Sequence, residues 1–364
     1  MKNQDYIIKV VICILLLCCS FILIVSLMLS NGETISSIEK MDSINLFDEF
    51  FTGVQATFSF IEDKAVLLFT PLASLLFLVL GSILPDEIKV MKINELKYVQ
   101  QGNLLCIFFI CVCCLLFVFL FIKDFDIYKT VVVVAFLVSV PFLFIIQQGG
   151  LELLVLFCVS LYIQYFESSN KKMQNLAFLS LGCAVGLRIY PIVFAFLLKK
   201  TEKKKVGFIS LCFFILINLC GAVLDIELQY FYDLSNNISQ QMFLVIILSS
   251  LLVIFLPEKL WSPWELLLLS CFLLGSSLGQ SNPEVYAYLI LPLIFVGINK
   301  DKRKSEQMIA NICLIPVLLA FWPRGLSLYA RSIFCDIGIG LVFLTLVCKF
   351  TIEKRAQTDA SISK

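Results

Sequence analysis

Long apolar runs, almost free of charge, recur along this chain and constrain its fold more than any motif does. Twelve can be marked, at roughly 8–30, 65–85, 104–122, 130–146, 151–166, 176–198, 206–224, 242–256, 264–279, 284–298, 308–322 and 332–350. A run of about 20 apolar residues spans the hydrocarbon core of a bilayer. Lipid offers no partner to an open backbone, so each span has to be a helix that satisfies its own N–H and C=O groups. The expected fold is all-α, a polytopic integral membrane protein with about 12 transmembrane helices. Several runs are short for a span and are expected to tilt little, to sit in thinned bilayer or to break at the protein core.

Composition points the same way. Only 15% of the residues are charged, against roughly 25% in a soluble domain, which is too few to build a water-facing surface. Residues 1–350 read as a single polytopic domain with a first outer loop at 31–64, and 351–364 as a polar cytoplasmic tail expected to fray. Lys2 and Lys9 followed by an apolar stretch to about Ser30 resemble a secretory signal. That stretch is longer than the 7–15 residues usual for such a core, so an uncleaved first span is expected.

Lysine and arginine orient the spans, because cytoplasmic loops carry the excess of both. The groups Lys2/Lys9, Lys199–Lys205, Lys300–Lys304 and Lys349–Arg355 all fall on one side if there are twelve spans. Lys171, Lys172, Arg324 and Arg331 run against this bias, and a broken or re-entrant segment in the central region would account for them. The multi-pass protein is expected in the cell membrane.

A net charge of +1 gives no electrostatic footing for nucleic acid. The chain has no histidine, which removes imidazole acid–base chemistry and imidazole metal ligation. All 15 cysteines lie in apolar runs, where a free thiol behaves as a small hydrophobe. Neither a disulfide framework nor a metal or other cofactor is expected.

The residues left to carry chemistry are few. In the first outer loop, Met41-Asp42-Ser43-Ile44-Asn45-Leu46-Phe47-Asp48-Glu49-Phe50-Phe51 mixes carboxylates with aromatics. It predicts a short interfacial helix with Ile44, Phe47 and Phe51 on one face and Asp42, Asn45 and Glu49 on another. A carboxylate there can deprotonate an acceptor hydroxyl; solvated loop charges are the plainer alternative. Arg188 lies within an apolar run, in Gly186-Leu187-Arg188-Ile189-Tyr190-Pro191, where a charge is costly and marks a functional candidate. It suits bidentate phosphate binding, or a structural ion pair. Pro191 breaks the helix beside it. Gln147-Gln148-Gly149-Gly150 reads as a tight turn, with Glu152 just inside the next run. Arg324 and Arg331, in an outer loop with Trp322 and Tyr329, would hold an anionic headgroup or anchor the interface.

The order of these motifs resembles the polyprenyl-phosphate-sugar-dependent glycosyltransferases of the GT-C superfamily, especially glycosyltransferase family 87, which is mannosyltransferase-like. The resemblance rests on Met41–Asn45, Phe69-Thr70-Pro71-Leu72-Ala73, Gln148-Gly149-Gly150, Gly186–Pro191 and the basic Lys199–Lys205. It covers about residues 8–225, with Asn282-Pro283-Glu284-Val285-Tyr286 a weak echo of a late outer motif. Three positions depart from the family pattern: Gly150 for Asn, Arg188 for Lys, and Thr70 for the first of two prolines.

The resemblance implies a transferase that moves a sugar from a polyprenyl-phosphate donor to a cell-envelope glycan or glycolipid acceptor, at a site on the extracytoplasmic side reached from membrane lipid. Asp42 would be the general base, with Glu49 or Asp48 in reserve. Arg188, Tyr190 and Gln148 would bind the donor, aided by Arg324 and Arg331. An envelope polysaccharide polymerase, a lipid-linked glycan flippase or transporter, and a non-catalytic relative are the alternatives. Twelve simple crossings would put the Gln148–Gly150 turn on the cytoplasmic face, away from the first outer loop. A single outward site requires the two to meet, and a broken central helix would reconcile them.

Overall fold

In the computed structural model of the protein, the described residues are 10–15, 18, 47–63, 69–85, 100–122, 127–201, 207–212, 215, 240–279, 282–295, 313–321 and 327–362. Among them every regular element is helical and no strand occurs. The elements that position the site are α1 (Asp48–Asp63), α2 (Pro71–Ser82), α3 (Gln100–Ile122), α4 (Ile127–Leu137), α5 (Val140–Gln148), α6 (Leu151–Tyr165) and α7 (Lys171–Leu187). A 3-10 helix, η1 (Tyr190–Lys200), follows, then α8 (Gln240–Phe255), α9 (Pro263–Leu278) and a second 3-10 helix, η2 (Pro283–Leu289). The chain continues through α10 (Ile290–Ile294), α11 (Leu314–Phe321) and α12 (Leu328–Ile362).

Local sequence explains where these helices start and stop. Thr70 caps α2 by accepting from the Ala73 N–H, and Pro71 opens the helix, where its missing N–H costs nothing. Ser139 caps α5 in the same way, with Pro141 in the first turn. Ser262 and Glu265 form a reciprocal capping box at the start of α9, again with a proline first, which satisfies two otherwise unpaired backbone donors. At the other end of η1, Lys199 donates to the carbonyls of Leu256 at 2.6 Å and Ile254 at 3.3 Å. A cation there suits the negative end of α8.

Two described helical stretches, Gln101–Phe121 and Tyr329–Thr351, are long and apolar enough to cross a membrane. The bent pair Ile127–Leu137 and Val140–Ile146, which meet at 58°, makes a third if counted as one broken span. The apolar runs marked at 130–146, 176–198 and 284–298 are not single continuous α-helices among the described residues. The first breaks at Ser139, the second at Arg188, and the third is a 3-10 helix followed by a short α-helix. Each break carries a proline (Pro141, Pro191, Pro283), which has no N–H to give and disfavours a helical residue before it. The tail is corrected: α12 runs on to Ile362 where fraying was expected, through residues that mostly favour helix.

The outward faces of α3 and α12 are apolar. Leu104, Phe108, Leu115 and Phe119 are exposed on the first, and Leu344, Val347 and Phe350 on the second. Water does not favour so continuous an apolar surface, whereas lipid does. α9 is the opposite case, with Leu266, Leu267, Leu268 and Leu269 all fully buried. It packs against η1, η2 and α12, as a helix apolar on every side should.

Candidate functional site

Three separate stretches of chain bring charged side chains into the interior. The first is the start of α1. A helix is present, beginning at Asp48 and running through Asp63, preceded by Phe47 with a left-handed φ of 61°. Phe50 and Phe51 are buried and meet edge to face at 5.6 Å, which seats the first turn in the core and carries Glu49 inward with it. Asp48 is the first residue of the helix. Asp42 lies outside the described residues, as do Asn45 and Ile44.

The second stretch is the turn between α5 and α6. Gly149 and Gly150 have φ of 102° and 86°, a left-handed pair that residues with a Cβ adopt only at a cost. The first of them stands against α1: a Cβ on Gly149 would lie 2.5 Å from the Phe50 Cβ and 3.1 Å from its backbone nitrogen. So the turn and the helix that begins at Asp48 touch. Directly after the turn, in the first turn of α6, is Glu152, 1% exposed.

The third stretch is the break after α7. Leu187 ends the helix, and Arg188 takes an extended conformation, φ −142° and ψ 135°. The Thr70 hydroxyl donates to the Leu187 carbonyl at 2.9 Å. That bond holds the break against the start of α2.

These stretches converge on Arg188. Its Nη2 pairs with Glu49 Oε1, and its Nε lies 3.8 Å from Glu152 Oε2. Tyr190 donates its hydroxyl to Glu152 Oε2 and Tyr288, from η2, donates to Oε1. The two tyrosine rings stand perpendicular, with centroids 6.3 Å apart. Glu284, on the same 3-10 helix as Tyr288 and buried, interacts electrostatically with both Glu152 and Arg188. A charge this far from water needs partners, and Arg188 has a carboxylate on each side.

Other expected site residues have different places. Tyr190 was expected to position a donor, but its hydroxyl is committed to Glu152. Gln148 is half-buried at the end of α5 and is not part of the contacts described for the cluster. Arg331 is corrected: it lies within α12 rather than in an outer loop and is 1% exposed. Its Nη1 donates to the Ala320 carbonyl at 3.0 Å, and its guanidinium stands 5.9 Å from the Tyr286 ring centroid. A guanidinium so enclosed packs α12 onto α11 and η2 and does not present itself to a headgroup. Arg324 lies outside the described residues.

Glu152 and Tyr288 were missed as site residues. The signal for Glu152 was present, since an acid at the start of an apolar run deserves the reading given to Arg188. Tyr288 has no comparable signal, being one aromatic among many in an apolar run. Among the described residues, no group of three or more histidine, cysteine or acidic side chains could hold a metal ion. The cluster's chemistry is thus a guanidinium able to neutralise an anion, flanked by carboxylates able to take a proton. No protein-family model, no curated protein and no solved structure matches the chain.

Proposed function

We propose that this chain is a membrane glycosyltransferase of the GT-C type, with about twelve spans counted through its broken helices. It would move a sugar from a polyprenyl-phosphate donor to a hydroxyl of a cell-envelope glycan or glycolipid, at an extracytoplasmic site. The observation that carries the reading is the meeting of Glu49, from the first-loop helix, with Arg188, from the broken helix 139 residues later. Those are the two parts such a reaction needs, brought together across most of the N-terminal half.

In the step itself the acceptor hydroxyl gives its proton to the Glu49 carboxylate while its oxygen bonds to the sugar's anomeric carbon. The bond from that carbon to the phosphate oxygen breaks, and the electron pair leaves with the polyprenyl phosphate. Arg188 stabilises the charge that develops there. Glu49, the reserve, takes the role of base that the resemblance implied first for Asp42.

The test is transfer from labelled polyprenyl-phosphate sugar to an envelope acceptor by the purified protein. Glu49→Gln and Arg188→Met should each lower the rate by about 100-fold or more, as loss of a general base or of an oxyanion partner does. No transfer by the unaltered protein, or an undiminished rate in Glu49→Gln, refutes the reading.

A further inference from the structure

The two carboxylates on Arg188 are not equivalent. Glu152 is clamped: each of its oxygens accepts a tyrosine hydroxyl, it is 1% exposed, and it sits directly after the Gly149–Gly150 turn. Glu49 pairs with Nη2 from the first turn of a separate helix, just after the left-handed Phe47, and its side chain keeps 11% of its exposure. The Nε side of the guanidinium faces Glu152, so the Nη edge is the one a phosphate can grip by two parallel bonds. Glu49 holds that edge. A phosphate and an ionised Glu49 on the same guanidinium would set two like charges side by side in a poorly hydrated interior, where repulsion is strong.

We infer that Glu49 and the donor phosphate compete for one edge of Arg188, so that donor binding is the event that releases Glu49 to act as base. This rests on the transferase reading above. It favours one order of events: donor first, acceptor activation second. Paired through Oε1 with Arg188, Glu49 has its negative charge engaged by the guanidinium, which opposes transfer of an acceptor proton to it. With phosphate on the guanidinium that opposition is relieved, while Glu152 keeps the guanidinium aimed throughout as a positioning residue.

The competition is read by direct binding, independently of turnover. The full-length protein in detergent is titrated with a short-chain polyprenyl phosphate, with the corresponding polyprenol, and with inorganic phosphate. Glu49→Gln removes the competing charge and should bind the polyprenyl phosphate about tenfold more tightly than the unaltered protein, a difference within the range of one charged pair. Affinity for the polyprenol should be the same in both, and Arg188→Met should bind phosphate and alcohol alike. Competition by inorganic phosphate alone would mark a free-anion site in place of a lipid-linked one and overturn the inference as stated. Should Glu49→Gln not yield folded protein, Glu49→Asp, with its shorter reach, should tighten binding by a smaller factor, about threefold.

Equal or weaker phosphate binding in both Glu49 variants overturns the competition. Tighter binding in Glu49→Gln with no transfer by the unaltered protein upholds the competition and refutes the transferase. Failure of every form to prefer phosphate over alcohol refutes both.

Discussion

Thr70 and Leu187 are joined by a hydrogen bond that spans 117 residues of sequence: the threonine hydroxyl donates to the leucine carbonyl at 2.9 Å. The same hydroxyl oxygen accepts from the Ala73 N–H at the start of α2. One side chain therefore caps one helix and answers a carbonyl that another helix leaves behind where it breaks. Thr70→Val keeps the shape and removes both bonds. It should destabilise by about 1–2 kcal/mol, seen as a lower unfolding temperature in detergent, whereas Thr70→Ser should stay near the original.

Gly149 is a sharper test of how α1 is seated. An alanine there meets Phe50 and must hold φ of 102°. Left-handed strain of about 1–2 kcal/mol and an overpacked contact of similar size combine. Gly149→Ala should unfold at a clearly lower temperature and, by pushing α1 away, weaken the Glu49–Arg188 pair. Gly340→Ala is the control, because nothing lies within 4 Å of its would-be Cβ. It should be neutral or stabilise by less than about 1 kcal/mol.

Glu265 serves two partners. Its Oε2 accepts from the Ser262 N–H in the capping box and its Oε1 pairs with Lys349 from α12. Lys349→Met would leave a buried carboxylate short of its counter-ion and should cost about 2–3 kcal/mol. The double variant Glu265→Gln/Lys349→Met should recover part of that loss, since glutamine still completes the cap. Denaturant titration of the four forms measures the coupling.

The tyrosine clamp gives a kinetic signature. Tyr190→Phe and Tyr288→Phe each leave Glu152 one hydroxyl, and each should raise the donor's KM about three- to tenfold with a smaller change in kcat. Removing both leaves a buried carboxylate without either hydroxyl and should cost more than the two losses combined. A purely structural role would instead lower the yield of folded protein and leave the KM of what remains unchanged.

Much of the architecture was legible in the chain because apolar runs and helix caps are local signals. Thr70-Pro71 was read as the entry to the second run, and the run marked from 264 begins within a residue of α9, whereas the start at Ser139 went unread inside the run 130–146. Arg188 was legible as well, since a charge in an apolar run has no cheap explanation. What escaped was whatever depends on contacts distant in sequence. Glu152 matters because Tyr190 and Tyr288 reach it, and Arg331 is enclosed because α11 and η2 close over it. Neither fact is written near the residue itself. A broken central helix was anticipated, but not where it breaks, for apolar length alone does not distinguish a continuous span from two pieces joined at an angle.

The tyrosine from η2 also bears on how the protein is made. A ribosome delivers Glu152, Arg188 and Tyr190 well before Tyr288 and Glu284, so for some hundred residues of synthesis Glu152 lacks one of the two hydroxyls that hold it in the finished protein. The early half of the chain must therefore tolerate an incomplete polar centre until η2 has been made and packs against α9. A truncated product ending before η2 should be a preferred target of membrane quality control, recognised by a charge still waiting for its partner.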